Sequence, residues 1–396
     1  MPRSSPRRNA SRCLSAIIAA GLIAGLFPPS QAIAGKTGCA PADWHDFDVD
    51  RDRHIRVPVT IAGIPFSAVL DSGATRSVID RRIADRLGLT AQAGYTARGL
   101  TDDVEGAIGE AATVRIGDIA LSLSMGVLDL GALSTASSRP IDVVLGREIF
   151  EQGIVDIDFR KERIRFLNRD CRPGDGRAIV LPLRNKDGMY SVTAAVEGRG
   201  DVDFLLDLGS TVSVYLSPSY ALETKLLEGK KVSTGMTAGM EGLDLSLLST
   251  LRSFNLAGVE FRNVPVAIPE RWSQQTSGVI GLPVLARFRV QIDAAAGHIR
   301  LTPDGDTHRE PFARDRSGLS TSREDRHLRV LHVARGSPAE RAGMRANDRI
   351  VAINGVGVPK AYPPGAIPIG RRPAGTVVKL LTAEGGDHSI TLEDYY

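Results

Sequence analysis

Only three cysteines occur in 396 residues, and none of them stands in a C-x-x-C pair. The seven histidines show no close ligand spacing, so the usual zinc signatures are excluded and no metal or cofactor is expected. Aromatic residues are scarce, at 5%, yet 42% hydrophobic and 24% charged residues leave material for an ordinary core. They exclude collagen, coiled coil and wholesale disorder. No dense Lys/Arg stripe is present. The formal charge of +3 includes Arg3, Arg7, Arg8 and Arg12, all within a 34-residue start that has no acid; without those four the body stands at −1. A polyanionic partner such as nucleic acid therefore has no electrostatic basis. Long apolar runs are missing too. The one candidate, Cys13 to Phe27, has about 15 residues against the ~20 of a membrane span.

That run follows an Arg-rich start and ends near Ala32-Ile33-Ala34, the pattern of a signal peptide over residues 1–34. A buried helix is the alternative, and it requires the terminal position, the basic flank and the small-x-small site to coincide. Arg7-Arg8 is followed by Asn9-Ala10-Ser11, where a twin-arginine signal carries apolar residues. The expected location is the periplasm or the outside of the cell, with no membrane span once the leader is removed. Cys13 departs with the leader and leaves Cys39 and Cys171, an even count in an oxidising compartment. They form either a disulfide that pins the N-terminal extension or two separate thiols.

The length suits two or three domains at roughly 150 residues each, and an internal repeat organises the middle. Phe66 to Thr75 reads FSAVLDSGAT, and Asp203 to Thr211 reads DFLLDLGST. Each is a strand-like run that delivers an aspartate into a D-x-G turn and is followed by a capped helix signal. The helices are expected from Asp80 to Leu87 before Gly88, and from Ser217-Pro218 to Glu228 before Gly229. Apolar runs closed by Gly146 and Gly281 follow 75 residues after Asp71 and 74 after Asp207. Glycine there implies a close pass of another backbone. Ile157-Asp158 and Ile292-Asp293 follow at equal spacing. A third D-x-G at Asp129 lacks the spacing and the capped helix, and reads as a strand end. An isolated D-x-G is commonly an Asx-turn; duplication within matched halves is what singles out Asp71 and Asp207.

Duplicated lobes meeting about a pseudo-twofold axis would bring the two aspartates face to face. Close carboxylates share one proton, which makes an acid and a base together. The ionised member takes a proton from water while the other gives one to a peptide carbonyl. At these residues the chain resembles the retropepsin-like bacterial aspartic proteases with both lobes on one chain, over roughly residues 50 to 305. The resemblance implies Asp71 and Asp207 as the catalytic dyad, with active-site turns Ser72-Gly73-Ala74 and Leu208-Gly209-Ser210 and supporting glycines Gly146 and Gly281. It also implies a hairpin flap between Tyr95 and Gly109, a segment framed by Gly94, Gly99, Gly106 and Gly109 that otherwise reads as a mobile loop. The family favours Ser or Thr after each aspartate, where the hydroxyl braces the opposite lobe. Ser72 complies and Leu208 departs.

Beyond a polar linker, the string from Gly336 to Gly355 resembles the PDZ domains of bacterial proteases. Val330 to Val333 reads as a strand, Ser337 to Gly343 as a capped helix, and Arg349 to Ile353 as a strand entering the Asn354-Gly355 turn. Such domains bind an extended peptide as an added strand, with backbone N–H groups receiving its terminal carboxylate. The resemblance places that carboxylate loop at Ser317-Gly318-Leu319. The four prolines Pro359, Pro363, Pro364 and Pro368 argue against a long helix beside the groove. Peptide capture and mere docking on the protease both remain open for this module.

The expected fold is mainly β: two pseudo-symmetric β-barrel lobes, 51–168 and 178–303, after a signal peptide (1–34) and an extension (35–50). A linker (304–316) leads to an α/β PDZ domain (317–396). The expected function is an exported, monomeric aspartic endopeptidase acting on polypeptide. The alternative is a catalytically silent peptide-binding or scaffold protein.

Overall fold

A computed structural model describes residues 42–50, 53–137, 139–171, 177–360 and 368–396. The leader, Cys39 and the stretch 361–367, which holds Pro363 and Pro364, lie outside the described residues. Strands dominate, arranged in four sheets. Alternation explains many of them: Ala112–Ile116 buries every second residue against lobe 1, and Val377–Thr382 does so in the C-terminal module. Among the described residues no helix is long and apolar enough to cross a membrane.

Lobes 1 and 2 repeat one local plan. In lobe 1, Ile64–Leu70 runs parallel to Val143–Leu145, which pairs antiparallel with Val78–Asp80. In lobe 2, Val202–Asp207 runs parallel to Gly278–Gly281, which pairs antiparallel with Val214–Leu216. A later strand thus threads between the two arms of each aspartate turn. The threading requires the glycine that closes it: a Cβ on Gly146 would stand 2.5 Å from the Arg76 carbonyl carbon, and one on Gly281 only 1.9 Å from the Val212 oxygen.

A six-stranded sheet joins the halves. At its centre Ile154–Asp158 pairs antiparallel with Phe288–Asp293, flanked by Arg163–Leu167 and His298–Pro303 and edged by His45–Asp46 and Ile179–Pro182. Asp156 and Gln291 lie opposite one another. Each stands ten residues beyond its lobe's glycine, Gly146 or Gly281, so the pseudo-twofold axis passes between these residues. Asp156 is fully buried and accepts from Arg165 (2.8 Å) and from both Nε and Nη2 of Arg289 (2.9 and 2.7 Å). The same two guanidinium groups and Arg163 lie over the Trp44 ring, at 4.1 to 5.4 Å.

Two expected helices differ in outcome. Arg81–Leu87 is capped by Asp80, and Gly88 closes it in the left-handed region at φ 69°. Its counterpart, capped by Ser217, stops at Glu223, short of Glu228. Thr224 Oγ1 bonds back to the Tyr220 carbonyl, and Lys225 adopts φ 51°, which turns Leu226 into the core. After Asp129 a short helix, Gly131–Ala136, does form, without a side-chain cap.

The linker is pinned to lobe 2. Phe312 is buried edge-on against Phe261, with Arg287 over its ring. The C-terminal module has its own core, including Leu328, Val330, Ile350, Val378, Leu380 and Ile390. Its sheet order is Leu319–Glu324, His327–Val333, Arg349–Ile353, Val377–Thr382, Asp387–Thr391. Asn347 sits in the left-handed region at φ 74°, which asparagine tolerates. Cys171 is disulfide-bonded; Cys39, its expected partner, lies outside the described residues.

The interlobe sheet yields a stability prediction. Asp156→Ala leaves two arginines without their buried acceptor, a change that typically costs about 3–5 kcal/mol. Arg165 and Arg289 keep 20% and 33% exposure, so the low end, about 3 kcal/mol, is expected in chemical denaturation. An unchanged midpoint would show that the pair contributes nothing to holding the lobes together.

Candidate active site

Each aspartate closes a fully apolar strand end, Val69-Leu70 or Leu205-Leu206, and then enters its turn. Burial of those residues fixes the strand, so the position of the carboxylate follows from the sheet. Asp71 Oδ1 accepts from the backbone N–H of Gly73 (2.7 Å) and Ala74 (3.2 Å), and Asp207 Oδ1 accepts from the N–H of Ser210 (2.8 Å). The turns are anchored alike to the threading strands: Arg147 N–H donates to the Ala74 carbonyl, and Leu282 N–H to that of Ser210, both at 2.9 Å.

The two turns meet. The Asp71 and Asp207 carboxylates lie side by side: the point where a Cβ on Gly73 would stand is 3.2 Å from Asp71 Oδ1 and 3.3 Å from Asp207 Oδ1. Each turn lays its glycine over the opposite carboxylate. A Cβ on Gly73 would stand 3.0 Å from Asp207 Cγ, and one on Gly209 2.6 Å from Asp71 Cγ. No side chain fits at either position without pushing the carboxylates apart. Burial pushes the Asp71 carboxyl up, against the pull of bonds from Asp207 and the Gly73 and Ala74 amides. Burial and then the Asp71 charge push Asp207 up much further. The pair therefore retains a shared proton above the ordinary carboxylate range.

Ser72 and Leu208 divide the bracing unequally. The Ser72 hydroxyl donates to the Leu206 carbonyl (2.8 Å) and accepts from Leu208 N–H (3.1 Å), so one side chain spans both arms of the other turn. Leu208 has no hydroxyl to return that bond and lies wholly within the apolar core.

Two hairpins roof the cleft. The lobe 1 flap is formed by Ala91–Arg98 and Asp103–Gly109. Lobe 2 supplies a second, Ser233–Gly239 with Gly242–Leu256, which sequence reasoning missed. Its signal was the pair Gly239 and Gly242 bracketing Met240-Glu241. The tips are clasped: Glu241 Oε1 accepts from Leu100 N–H (3.1 Å), Thr101 N–H (3.0 Å) and Thr101 Oγ1 (3.0 Å). Ser273 Oγ donates to the Gly99 carbonyl (2.6 Å), and Arg271 pairs with Asp102 (2.6 Å). The tips also exchange apolar side chains. Leu100 of lobe 1 packs with Met189, Leu205, Tyr215 and Trp272 of lobe 2, while Met240 joins Val69, Tyr95, Leu130 and Val144 of lobe 1.

The C-terminal module rests on the second flap. Ser233 Oγ donates to the Arg335 carbonyl (2.6 Å), Thr234 Oγ1 meets His332 Nε2 (2.8 Å), and Met236 N–H donates to Ser320 Oγ (3.2 Å). Of the expected carboxylate loop, Ser317 and Gly318 are buried and Leu319 half-buried at the start of an edge strand. The loop lies in this module, away from the aspartate turns that meet between the lobes. Among the described residues no group of three or more His, Cys, Asp or Glu side chains is placed to hold a metal ion.

Paired strand-and-turn units, each presenting an aspartate to one shared site under hairpin flaps, define a bilobal aspartyl-protease architecture. Residues 57–149 and 192–284 match the family described as aspartyl protease, and residues 329–383 match the PDZ domain family. The two lobes thus match the retropepsin-like aspartyl protease family as two repeats, and a PDZ domain follows them. No curated protein matches it significantly.

Hydrogen bonds to a charged acceptor contribute about 1.5–3 kcal/mol each. Glu241→Ala is therefore expected to speed hydrogen exchange at the Leu100 and Thr101 amides by about tenfold or more, with little change in the global melting temperature. Unaltered exchange at those two amides would mean that Glu241 does not hold the flaps together.

Proposed function

We propose that the protein is an aspartic endopeptidase, made with a signal peptide and exported, in which a water held between Asp71 and Asp207 attacks a peptide carbonyl. The observation that supports this most is the meeting of two buried carboxyls, each lying under the glycine of the opposite turn, in a setting that pushes both upward so that the pair shares a proton. The ionised member of the pair takes the proton of the attacking water and the protonated member gives its own to the carbonyl oxygen, so neither a covalent intermediate nor a second nucleophile is required. Backbone donors from Gly73, Ala74 and Ser210 hold the carboxylates before substrate arrives, so little reorganisation is left for the chemical step.

The substrate is a polypeptide in extended form. Apolar surfaces flank the dyad on both sides: Val69, Tyr95 and Leu130 in lobe 1, and Leu205, Tyr215 and Trp272 in lobe 2. They favour apolar side chains next to the scissile bond. The flap tips, Leu100 and Met240, occupy these surfaces when the roof is clasped, so entry exchanges one apolar contact for another. Leu208 motivated the silent-scaffold reading. The Ser72 bridge to both Leu206 and Leu208 favours the catalytic one, because the dyad's turns stay joined without a second hydroxyl.

The deciding measurement is cleavage of a denatured polypeptide by purified protein, compared with Asp71→Asn and Asp207→Asn. Each substitution is expected to reduce kcat by about 10²–10⁴-fold, the usual contribution of a positioned acid or base. Cleavage undiminished in both variants would assign the hydrolysis to a contaminant and leave the peptide-binding scaffold.

The carboxyl shifts give a pH dependence. The active pair holds one proton. Activity falls as pH drops through the pair's lower value, where it gains a second proton, and falls again as pH rises through its higher value, where it loses the shared one. Both limbs stand above the ordinary 3.8, so a bell displaced upward from that of two isolated aspartates is expected. Stability follows the same sign. A folded carboxyl with a raised pKa binds its proton more tightly than the unfolded chain does, so the folded state loses stability as pH climbs from the unfolded value through the folded one. Asp207→Asn removes that loss. Its melting temperature should exceed wild type near pH 7 and converge with it near pH 3; a lower value at pH 7 contradicts the shift.

A further inference from the structure

Parts of both lobes and of the PDZ domain meet beside the cleft. The helix Gly131–Ala136 of lobe 1, the flap strand Ser233–Gly239 of lobe 2 and the strand Leu319–Glu324 of the PDZ domain each pack on the other two. The flap strand therefore touches lobe 1 and the PDZ domain at once, and Ser233, Thr234 and Met236 bond it to the latter. Its partner strand Gly242–Leu256 follows in unbroken register, from Ser233 opposite Leu248 to Gly239 opposite Gly242. Tip and base of this hairpin are consequently tied to move together.

The base is pinned from a second direction. Tyr395 and Tyr396 are buried edge-to-face at 4.9 Å, and Leu248 of the flap packs against them and Ala334. Arg314 lies over the Tyr396 ring and donates to its main-chain oxygen (2.9 Å), to Thr250 Oγ1 of the flap (3.1 Å) and to the Asn263 carbonyl (3.0 Å). Asp315, the next residue, accepts from the Tyr395 hydroxyl (3.0 Å). The turn at Gly370 closes on that carboxylate: a Cβ there would stand 1.6 Å from Asp315 Oδ1. The tyrosine pair is thus fixed within the PDZ domain and bears on the flap.

Leu248 carries the contact into the cleft. Its side chain also packs on the cluster of Leu205, Tyr215 and Ala267, the lobe 2 wall beside the dyad. A Cβ on Gly235 would stand 2.7 Å from Leu248 Cδ1, so the first flap strand lies directly over it. At the other end of the hairpin Met240 rests on the lobe 1 wall while Glu241 holds Leu100 and Thr101. With the base seated on the PDZ domain, the tip is down and both apolar walls are covered.

We propose that the PDZ domain is an intramolecular brake on the active site. Docked, it holds the second flap against lobe 1 and keeps substrate out; polypeptide reaches the dyad only when the domain leaves the flap. The inference rests on the endopeptidase reading, since a brake presupposes an activity, but release of the flap is measured without cleavage and so the two fail separately.

The test uses the full chain with Tyr395→Ala and Tyr396→Ala together, and a milder second variant, Ser233→Ala with Thr234→Val. Hydrogen exchange is followed at the Met236 amide, which bonds to Ser320 Oγ, and at the Leu100 and Thr101 amides, which bond to Glu241. All three are expected to exchange about fivefold faster or more in the tyrosine variant, and in the same direction in the milder one. Cleavage of denatured polypeptide should show KM lowered by about the same factor with kcat unchanged, because a larger share of molecules is open to substrate. Faster exchange with no cleavage in any form supports the brake and overturns the endopeptidase reading. Faster exchange at Met236 with Leu100 and Thr101 unaltered overturns the brake, as does unaltered exchange at all three amides or a raised KM. Should the tyrosine variant fail to fold, the milder one decides on the same readings.

Discussion

Two buried carboxylates brought into contact repel one another unless a proton lies between them, and the surrounding lobes are arranged to hold them there. Each turn contributes its aspartate to the pair and its glycine to the space above the partner's carboxylate. The Ser72 hydroxyl ties one turn to both arms of the other. The threading strands that end at Gly146 and Gly281 fix the turns from behind, and the central pairing of Ile154–Asp158 with Phe288–Asp293 sets the lobes about the axis on which the carboxyls meet. Loss of any one of these restraints lets the charges separate, which relieves repulsion but removes the shared proton. Stability and chemistry pull in opposite directions at this point. The dyad is a local electrostatic cost offset by a continuous apolar core that runs through both lobes.

What could be read from the residues was whatever repeats locally. Asp71 and Asp207 were legible because strand, turn, capped helix and glycine recur at one spacing, and each of those signals is set by neighbours in sequence. Asp80 and Ser217 cap as expected for the same reason. The end of the second helix was not legible. Nothing between Glu223 and Glu228 breaks a helix by propensity; burial of Leu226 overrides it by turning the chain inward. Helix Gly131–Ala136 escaped notice because its N-cap residue is Leu130, which has no side chain able to cap; the first N–H, of Gly131, is instead met from one residue further back by the Asp129 carboxylate.

Contacts between distant segments were hidden altogether. Glu241 is an unremarked acid between two glycines in the sequence, and its role arises from amides 140 and 141 residues away in the opposite lobe. Asp315 was overlooked although it stands only two residues before Ser317. The D-R-S-G string shows a local acceptor but not that Tyr395 and the Gly370 turn enclose it. In both cases a carboxylate gains meaning from donors that only the folded chain assembles.

The placement of the PDZ domain links these features. It bears on Ser233, Thr234 and Met236, within the first strand of the hairpin whose tip carries Glu241. That hairpin therefore has one end bonded to the PDZ domain and the other bonded to the flap across the cleft. Opening the roof requires Glu241 to release Leu100 and Thr101, and the strand beneath it must then either carry the PDZ domain along or break the bonds to Arg335, His332 and Ser320. The edge strand Leu319–Glu324 begins beside that junction, since Ser320 is itself one of the contacts. The seating of the PDZ domain and access to the dyad are thus imposed on the same few hydrogen bonds.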